Sequence, residues 1–258
     1  MAGAKIISKK KPDDFAKMEI AGQCVAAMHQ VVREAAVAGV TTRDLDALAA
    51  EVCRERGCRP SFLGYHGFPA TICASPNSAI VHGIPDGYTL RNGDVISIDA
   101  GASYEGWHGD AAFTMTIGDV PDEVSKLIEV TEQALWNGLR LARHGNRLGD
   151  IGAAIEETAK PHGYGVVREY IGHGIGRQMH EAPNVPNYGV AGKGLKLKTG
   201  MALAIEPMFN LGTAETVVLD DGWTVVTADG ALSAHFEHTV LITEDGPVVS
   251  TLPEPLHL

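Results

Sequence analysis

Four acidic residues stand in stretches where the apolar residues of a strand belong. Asp99 ends Val95-Ile-Ser-Ile-Asp99, Asp110 sits in Gly109-Asp-Ala-Ala-Phe113, Glu206 ends Ala202-Leu-Ala-Ile-Glu206, and Glu237 lies within His235-Phe-Glu-His-Thr-Val-Leu-Ile242. A carboxylate withdrawn from water is costly unless a cation meets it. Carboxylates are hard oxygen ligands, and two divalent ions balance four negative charges, so the pattern points to a binuclear site. The segment Val95–Thr116 reads as a hairpin turning at Tyr104-Glu105. Ile96, Ile98, Ala100, Ala111, Phe113 and Met115 form its apolar face; Ser97, Asp99, His108, Asp110 and Thr114 form the other. This turn sets Asp99 directly opposite Asp110, with Cβ atoms about 5 Å apart. Two bare carboxylates so placed raise one another's pKa, and a shared cation relieves the repulsion. Taken alone, this spacing also fits an exposed hairpin with solvated acids; the second acidic pair favours metal.

Three histidines sit where backbone can approach closely. His173 lies in Gly172-His-Gly-Ile-Gly176, His180 in Met179-His-Glu-Ala-Pro183 and His82 in Val81-His-Gly-Ile-Pro85. Glycine permits tight backbone around an imidazole, a group suited to metal ligation and acid–base work. His29, His108, His144, His162 and His257 have no comparable setting.

The elements that must position these groups come twice. Residues 39–57 resemble residues 145–163, with Gly39/Gly145, Asp44/Asp150, Ala47/Ala153, Glu51/Glu157 and Gly57/Gly163 identical. Leu90–Asp99 resembles Leu197–Glu206, which puts Glu206 at the position of Asp99. In order and register this is a duplicated unit. Pro12, Asp13 and Asp14 start a helix in which Phe15, Met18, Val25, Met28 and Val32 recur at helical spacing until Gly39. A second helix follows Thr42 and ends at Arg56; the other half carries helices over about 122–143 and 148–160. Asn92-Gly93, Asp221-Gly222, Asp229-Gly230 and Asp245-Gly246 are hairpin turn signals. The expected fold is α+β: helices then strands, twice, with a mixed or antiparallel sheet covered by helices on one side. We expect one catalytic domain over 1–258, its first half about 12–119 and its second about 120–250, with the site between them.

Composition narrows the function classes. The 258 residues carry 45% hydrophobic and 21% charged side chains, an ordinary globular balance. A net charge of −11 opposes specific nucleic-acid binding. Cys24, Cys53, Cys58 and Cys73 form no C-x-x-C pair and fit free thiols in a reducing cytoplasm. Lys9-Lys10-Lys11 is followed by no apolar run of signal-peptide type and reads as a solvated basic stretch; no segment reads as a membrane span.

In combination and order, these segments resemble type I methionine aminopeptidases in their short bacterial form, over about residues 12–250. Phe62-Leu-Gly-Tyr-His-Gly-Phe-Pro69, Val81-His-Gly-Ile-Pro85, Ile98-Asp99, His108-Gly-Asp110, Gly172-His-Gly-Ile-Gly176, Met179-His-Glu181, Ile205-Glu-Pro-Met208 and Phe236-Glu-His-Thr239 carry the resemblance. It implies the pita-bread fold, two pseudo-symmetric αβ halves around a dinuclear metal centre, and removal of N-terminal methionine before a small uncharged second residue. It makes Asp99, Asp110, His173, Glu206 and Glu237 the ligands of two divalent ions (Co, Mn, Fe, Ni or Zn), with Asp110 and Glu237 bridging. A water activated between the ions would attack the first peptide carbonyl. Glu206 would shuttle the proton, His180 would bond the scissile carbonyl oxygen, and His82 would steady the tetrahedral centre or leaving nitrogen. Phe62, Tyr65, Phe68, Cys73, Met179 and Trp223 would surround the methionine side chain, an apolar lining suited to a thioether. Nascent chains are the implied substrates, with transient ribosome contact, and a monomer is expected. The chain's own Met1-Ala2 end fits the specificity.

The chain departs from the family in places. Ser75-Pro-Asn-Ser78 stands where Ser-Ile/Val-Asn-Glu is usual, and Met179 and Phe68 stand where Phe and Tyr are common. Asn77 and Ser233, which in relatives help hold an auxiliary monovalent cation, are both present. Two rivals share the fold. Proline-specific peptidases normally carry a separate N-terminal domain, and metal-free binding relatives lose ligands that this chain keeps. Release of methionine from Met-Ala-Ser against release from an Xaa-Pro dipeptide separates them.

Overall fold

A computed structural model describes residues 7–258; Met1 and Ala2, read above as a substrate-like end, lie outside the described residues. Helix α1 spans Pro12–Ala35, with Asp13 and Asp14 in its first turn, and α2 spans Thr42–Glu55. Strands β1 (Arg59–Pro60), β2 (Ile72–Pro76) and β3 (Ala79–Val81) lead to the hairpin of β4 (Val95–Tyr104) and β5 (Trp107–Thr116). Helices α3 (Asp122–Leu141) and α4 (Leu148–Ala159) follow. Strands β6 (Gly165–Val166), β7 (Gly172–Gly174), β8 (Glu181–Val185), β9 (Ala202–Ile205) and β10 (Met208–Asn210) come next. The chain closes with β11 (Thr216–Val218), β12 (Val225–Thr227), β13 (Ser233–His235), β14 (Glu237–Ile242), β15 (Pro247–Val249) and β16 (Leu256–His257).

The second helix of each pair is entered and left in the same way. Gly39 and Gly145 share a φ of 98°, and Gly57 and Gly163 share 69°, a left-handed conformation that favours glycine. The Asp44 carboxylate accepts the Thr41 N–H at 3.1 Å, and the Asp150 carboxylate accepts the Arg147 N–H at 2.7 Å. Each pairing satisfies an N–H at a helix entrance and sets an anion at the positive end of the dipole.

Among the described residues, ten strands form one antiparallel sheet whose main path runs β1-β4-β5-β14-β9-β7-β8. One face is apolar: Ile96, Ile98, Ala100, Ala111 and Phe113 pack with Val25, Met28 and Val32 of α1 in a single core. Burying each of the large side chains contributes about 1.5–3 kcal/mol. The β4–β5 hairpin turns at Glu105-Gly106, both at positive φ (48° and 76°), the two-residue turn whose twist matches the strands. That corrects the expected register: Tyr104 pairs Trp107, Asp99 faces Ala112, and Asp110 faces Gly101. Asp99 and Asp110 are therefore diagonal neighbours on one face rather than direct partners. Of the four turn signals, Asp221-Gly222 joins the paired strands β11 and β12, and Asp245-Gly246 joins β14 and β15. The other two lie between strands that do not pair with each other.

The basic run near the start is not uniformly solvated. Lys9 and Lys11 are exposed, but Lys10 is buried, with its Nζ 2.9 Å from Glu181. Among the described residues no helix is long and apolar enough to cross a membrane.

Candidate metal centre

Five adjacent strands of the sheet each deliver one donor to the same face. Asp99 comes from β4, Asp110 from β5, Glu237 from β14, Glu206 from the residue after β9, and His173 from β7. Direct pairing puts Asp99, Ala112 and Glu237 in one row, and Thr239, Ala204 and His173 in the next. Side chains at paired positions share a face, and alanines at 112 and 204 leave room between the acids. Thr239 locks β14 to β5: its hydroxyl accepts the Asp110 N–H at 3.0 Å and donates to the Asp110 carbonyl at 2.9 Å. Leu203 and Ile205 point the other way, into the core.

The cluster is poor in compensating charge. Asp110, Glu237 and His173 are buried, and the Glu206 side chain is 13% exposed. None of the residues lining the cavity over the cluster is Lys or Arg. Burial pushes Asp99 up to about 7 and Glu206, also beside the Asp99 charge, up to about 8. Asp110 and Glu237 are driven well above the carboxylate range, first by burial and then by their acidic neighbours. Asp99 Oδ1, Asp110 Oδ1 and Glu237 Oε1 are buried without a hydrogen-bond partner. Orphaned carboxylate oxygens converging in a dry pocket are the donor set a hard or borderline divalent cation requires, so these residues fit such ions. His173 agrees: burial holds it down to about 3, so it is neutral. Its Nδ1 meets the Gly174 carbonyl at 3.0 Å, which assigns the proton to Nδ1 and frees the Nε2 lone pair. That Nε2 stands 3.7 Å from Asp110 Oδ2 and 3.7 Å from Glu206 Oε1.

Above the acids lies a cavity of about 140 Å³ walled by Phe62, Tyr65, Phe68, Cys73, His82 and Trp223. It is small beside the ~300–1,000 Å³ of drug-sized ligand sites. Phe62 and Phe68 meet edge to face at 6.4 Å, and Phe68 meets Trp223 at 5.1 Å. Met179, expected on this wall, is not among the residues lining the cavity. It packs in the same apolar cluster, close to Phe62 and Gly101. His82 has a φ of 61°, an uncommon conformation for a residue with a side chain, and burial holds it down to about 4. His180 stacks on Tyr65 and lies tilted against His173, ring centroids 4.1 Å apart, with its Nδ1 2.9 Å from the Tyr65 hydroxyl. Glu181 fixes that turn by accepting the Gln178 N–H at 3.0 Å and the Lys10 ammonium.

Residues 16–244 match metallopeptidase family M24. The chain belongs to that family. It is a metal-dependent aminopeptidase with the pita-bread fold. It is 48% identical to methionine aminopeptidase 1 of Mycobacterium tuberculosis, covering 98% of this chain and 97% of that protein. It is 45% identical to the Clostridium perfringens methionine aminopeptidase, covering 96% and 99%. The crystal structure of the Thermotoga maritima methionine aminopeptidase superposes with a TM-score of 0.94 at 42% identity, covering 96% of this chain and all of that one. The Pyrococcus furiosus prolidase shares the fold, with a TM-score of 0.78 at 23% identity, and this chain spans 66% of it.

Within this M24 centre stands a residue the sequence reasoning passed over. His235, two positions before Glu237 on the same side of the chain, is buried and lines the cavity. The period-two spacing was the available signal. Asn77 and Ser233 meet through the Ser233 N–H donating to the Asn77 carbonyl at 3.1 Å. The Asn77 amide is already engaged with Tyr88, Asp94 and the Val95 N–H.

Proposed function

We propose that this chain removes N-terminal methionine from peptides and nascent chains whose second residue is small and uncharged, acting through a dinuclear centre. The observation that carries it is the set of five donors, one from each of five adjacent strands, beneath a cavity sized for one apolar side chain. Asp99, Asp110, His173, Glu206 and Glu237 would hold two divalent cations (Co, Mn, Fe, Ni or Zn). Such ions supply Lewis acidity and a water acidified toward neutrality.

The chain's own groups do the rest. Glu206 Oε accepts the proton of the attacking water and delivers it to the leaving amine nitrogen; burial keeps this carboxyl basic enough to do so. With the Tyr65 hydroxyl 2.9 Å from His180 Nδ1, a bond donated by the tyrosine would leave the proton on Nε2, a neutral donor for the scissile carbonyl oxygen. His82, also neutral, faces the tetrahedral centre or the departing nitrogen. Phe62, Tyr65, Phe68, Cys73 and Trp223 exclude water from the methionine side chain, and burial keeps the Cys73 thiol protonated. Met179 supports this wall from behind. A small second residue follows because the next side chain must share the cavity mouth with Tyr65, His180 and Trp223.

The matched helix ends support two related halves, about 12–119 and 120–250, in one catalytic domain over 1–258. A monomer, transient ribosome contact and a cytoplasmic location belong to the same proposal; the four free cysteines support the last. An auxiliary monovalent cation is proposed at the Asn77–Ser233 junction. Metal-dependent release of methionine from Met-Ala-Ser, with none from an Xaa-Pro dipeptide, is the expected assay result. Cleavage of Xaa-Pro alone would overturn the assignment.

A further inference from the structure

His235 has no part in the chemistry above, yet at 1% exposure it is more deeply buried than His173. Its Nε2 has no hydrogen-bond partner and stands 3.8 Å from Glu206 Oε2. His173 Nε2 stands 3.7 Å from Glu206 Oε1. Two imidazoles thus face the two oxygens of one carboxylate at nearly equal separations. Those separations are too long for hydrogen bonds. They suit atoms bound to a common ion at about 2.0–2.2 Å each.

The donors group accordingly. Asp110, His173 and Glu237 offer atoms that all lie within 4.8 Å of one another, and so do Glu206, His235 and Glu237. Two three-donor sets that share one carboxylate are what a pair of ions bridged by that carboxylate needs. The backbone of His235 is also fixed. Its N–H donates to Thr114 Oγ1 at 2.8 Å, the Thr114 hydroxyl donates to its carbonyl at 2.8 Å, and Ser97 Oγ lies 2.8 Å from Thr114 Oγ1. A buried ring nitrogen left unpaired is destabilising, and ligation removes that penalty.

We propose that His235 Nε2 is a sixth protein donor to the centre, binding the ion held by Glu206 and Glu237. It rests on the two-ion centre proposed above and adds a second imidazole to it beside His173, whose Nε2 stands as close to the Glu206 carboxylate as that of His235. A second nitrogen donor favours metals late in the first-row series over manganese.

The test uses the full chain loaded with two equivalents of Co(II). Contact-shifted proton NMR signals that vanish in protein grown with ring-deuterated histidine count the bound imidazoles. Two imidazoles in the native protein and one in His235→Gln are expected. Calorimetric titration should show one of the two Co(II) equivalents weakened about tenfold or more in the variant. Two ions bound with one imidazole in the native protein would overturn the role of His235 and leave the centre standing. A native protein that takes up no Co(II) would overturn the centre itself. Should His235→Gln fail to fold, the native count decides alone.

Discussion

Chelator-stripped protein should lose stability as pH rises from 6.5 to 8. Two sets of buried groups act in opposite directions. His173 and His235 are held down to about 3, and His82 and His238 to about 4. Their stabilisation is lost as pH falls below the unfolded value of about 6.5. At pH 6.5 the unfolded imidazole is half protonated, so the four still gain about 1.6 kcal/mol together by pH 8, and the net fall is what the carboxyls lose beyond that. The carboxyls carry the other sign: a raised folded pKa means stability present at low pH and lost as pH climbs toward the folded value. Glu206, pushed up to about 8, keeps its proton in the folded chain while the unfolded chain has released it. The slope is about 1.4 kcal/mol per pH unit, or about 2 kcal/mol across the window. Asp110 and Glu237, driven well above the usual range, add up to as much again each, whereas Asp99 at about 7 finishes early. At roughly 2–4 °C per kcal/mol for a chain of this size, Glu206 alone lowers Tm by about 4–8 °C. Scanning calorimetry at pH 6.5 and 8.0, with and without added Co(II) or Mn(II), reads this directly. Cations hold the acids ionised at both pH values, so they should abolish the fall, and Glu206→Gln should reduce it. A stripped protein whose Tm holds steady or rises between pH 6.5 and 8.0 refutes the reasoning.

Replacing Glu181 by Gln strands the Lys10 ammonium, whose side chain is 2% exposed; a urea titration should show a loss of about 3 kcal/mol. A Cβ at Gly83 would lie 2.3 Å from the Ala74 carbonyl oxygen, so Gly83→Ala must move backbone next to His82. Turnover of Met-Ala-Ser should fall about tenfold with metal content unchanged. His180→Ala should lower turnover about 10²-fold while elemental analysis still finds two ions; loss of both would show that His180 was misplaced outside the donor set. Tyr65→Phe removes the hydroxyl at His180 Nδ1 and should lower kcat by a smaller factor, leaving metal content intact.

Much of this was legible in the chain because strands have a period of two. That alternation put Asp99 and Asp110 on one face and Ile96, Ile98 and Phe113 on the other, and Glu206 was found by its repeat position. The hairpin register was not legible from the apolar pattern, because centring the turn on Tyr104-Glu105 or on Glu105-Gly106 gives the same faces. Gly106, at positive φ, was the discriminating residue. The burial of Lys10 depends on Glu181, 171 positions away, and no local pattern reveals such a partner. His235 was overlooked although it opens the stretch read for Glu237, because its place two residues before that acid, on the same side of the strand, was not drawn into the donor set. Met179 missed the cavity wall because its side chain packs beside Phe62 and Gly101, neighbours far along the chain that only the tertiary fold brings to it.

Anomalous diffraction from crystals grown with Mn(II) or Co(II) tests the central claim most directly. Two metal peaks about 3.5–4 Å apart, enclosed by Asp99, Asp110, His173, Glu206 and Glu237, are predicted. Five side chains with no metal peak between them at saturating cation would contradict it.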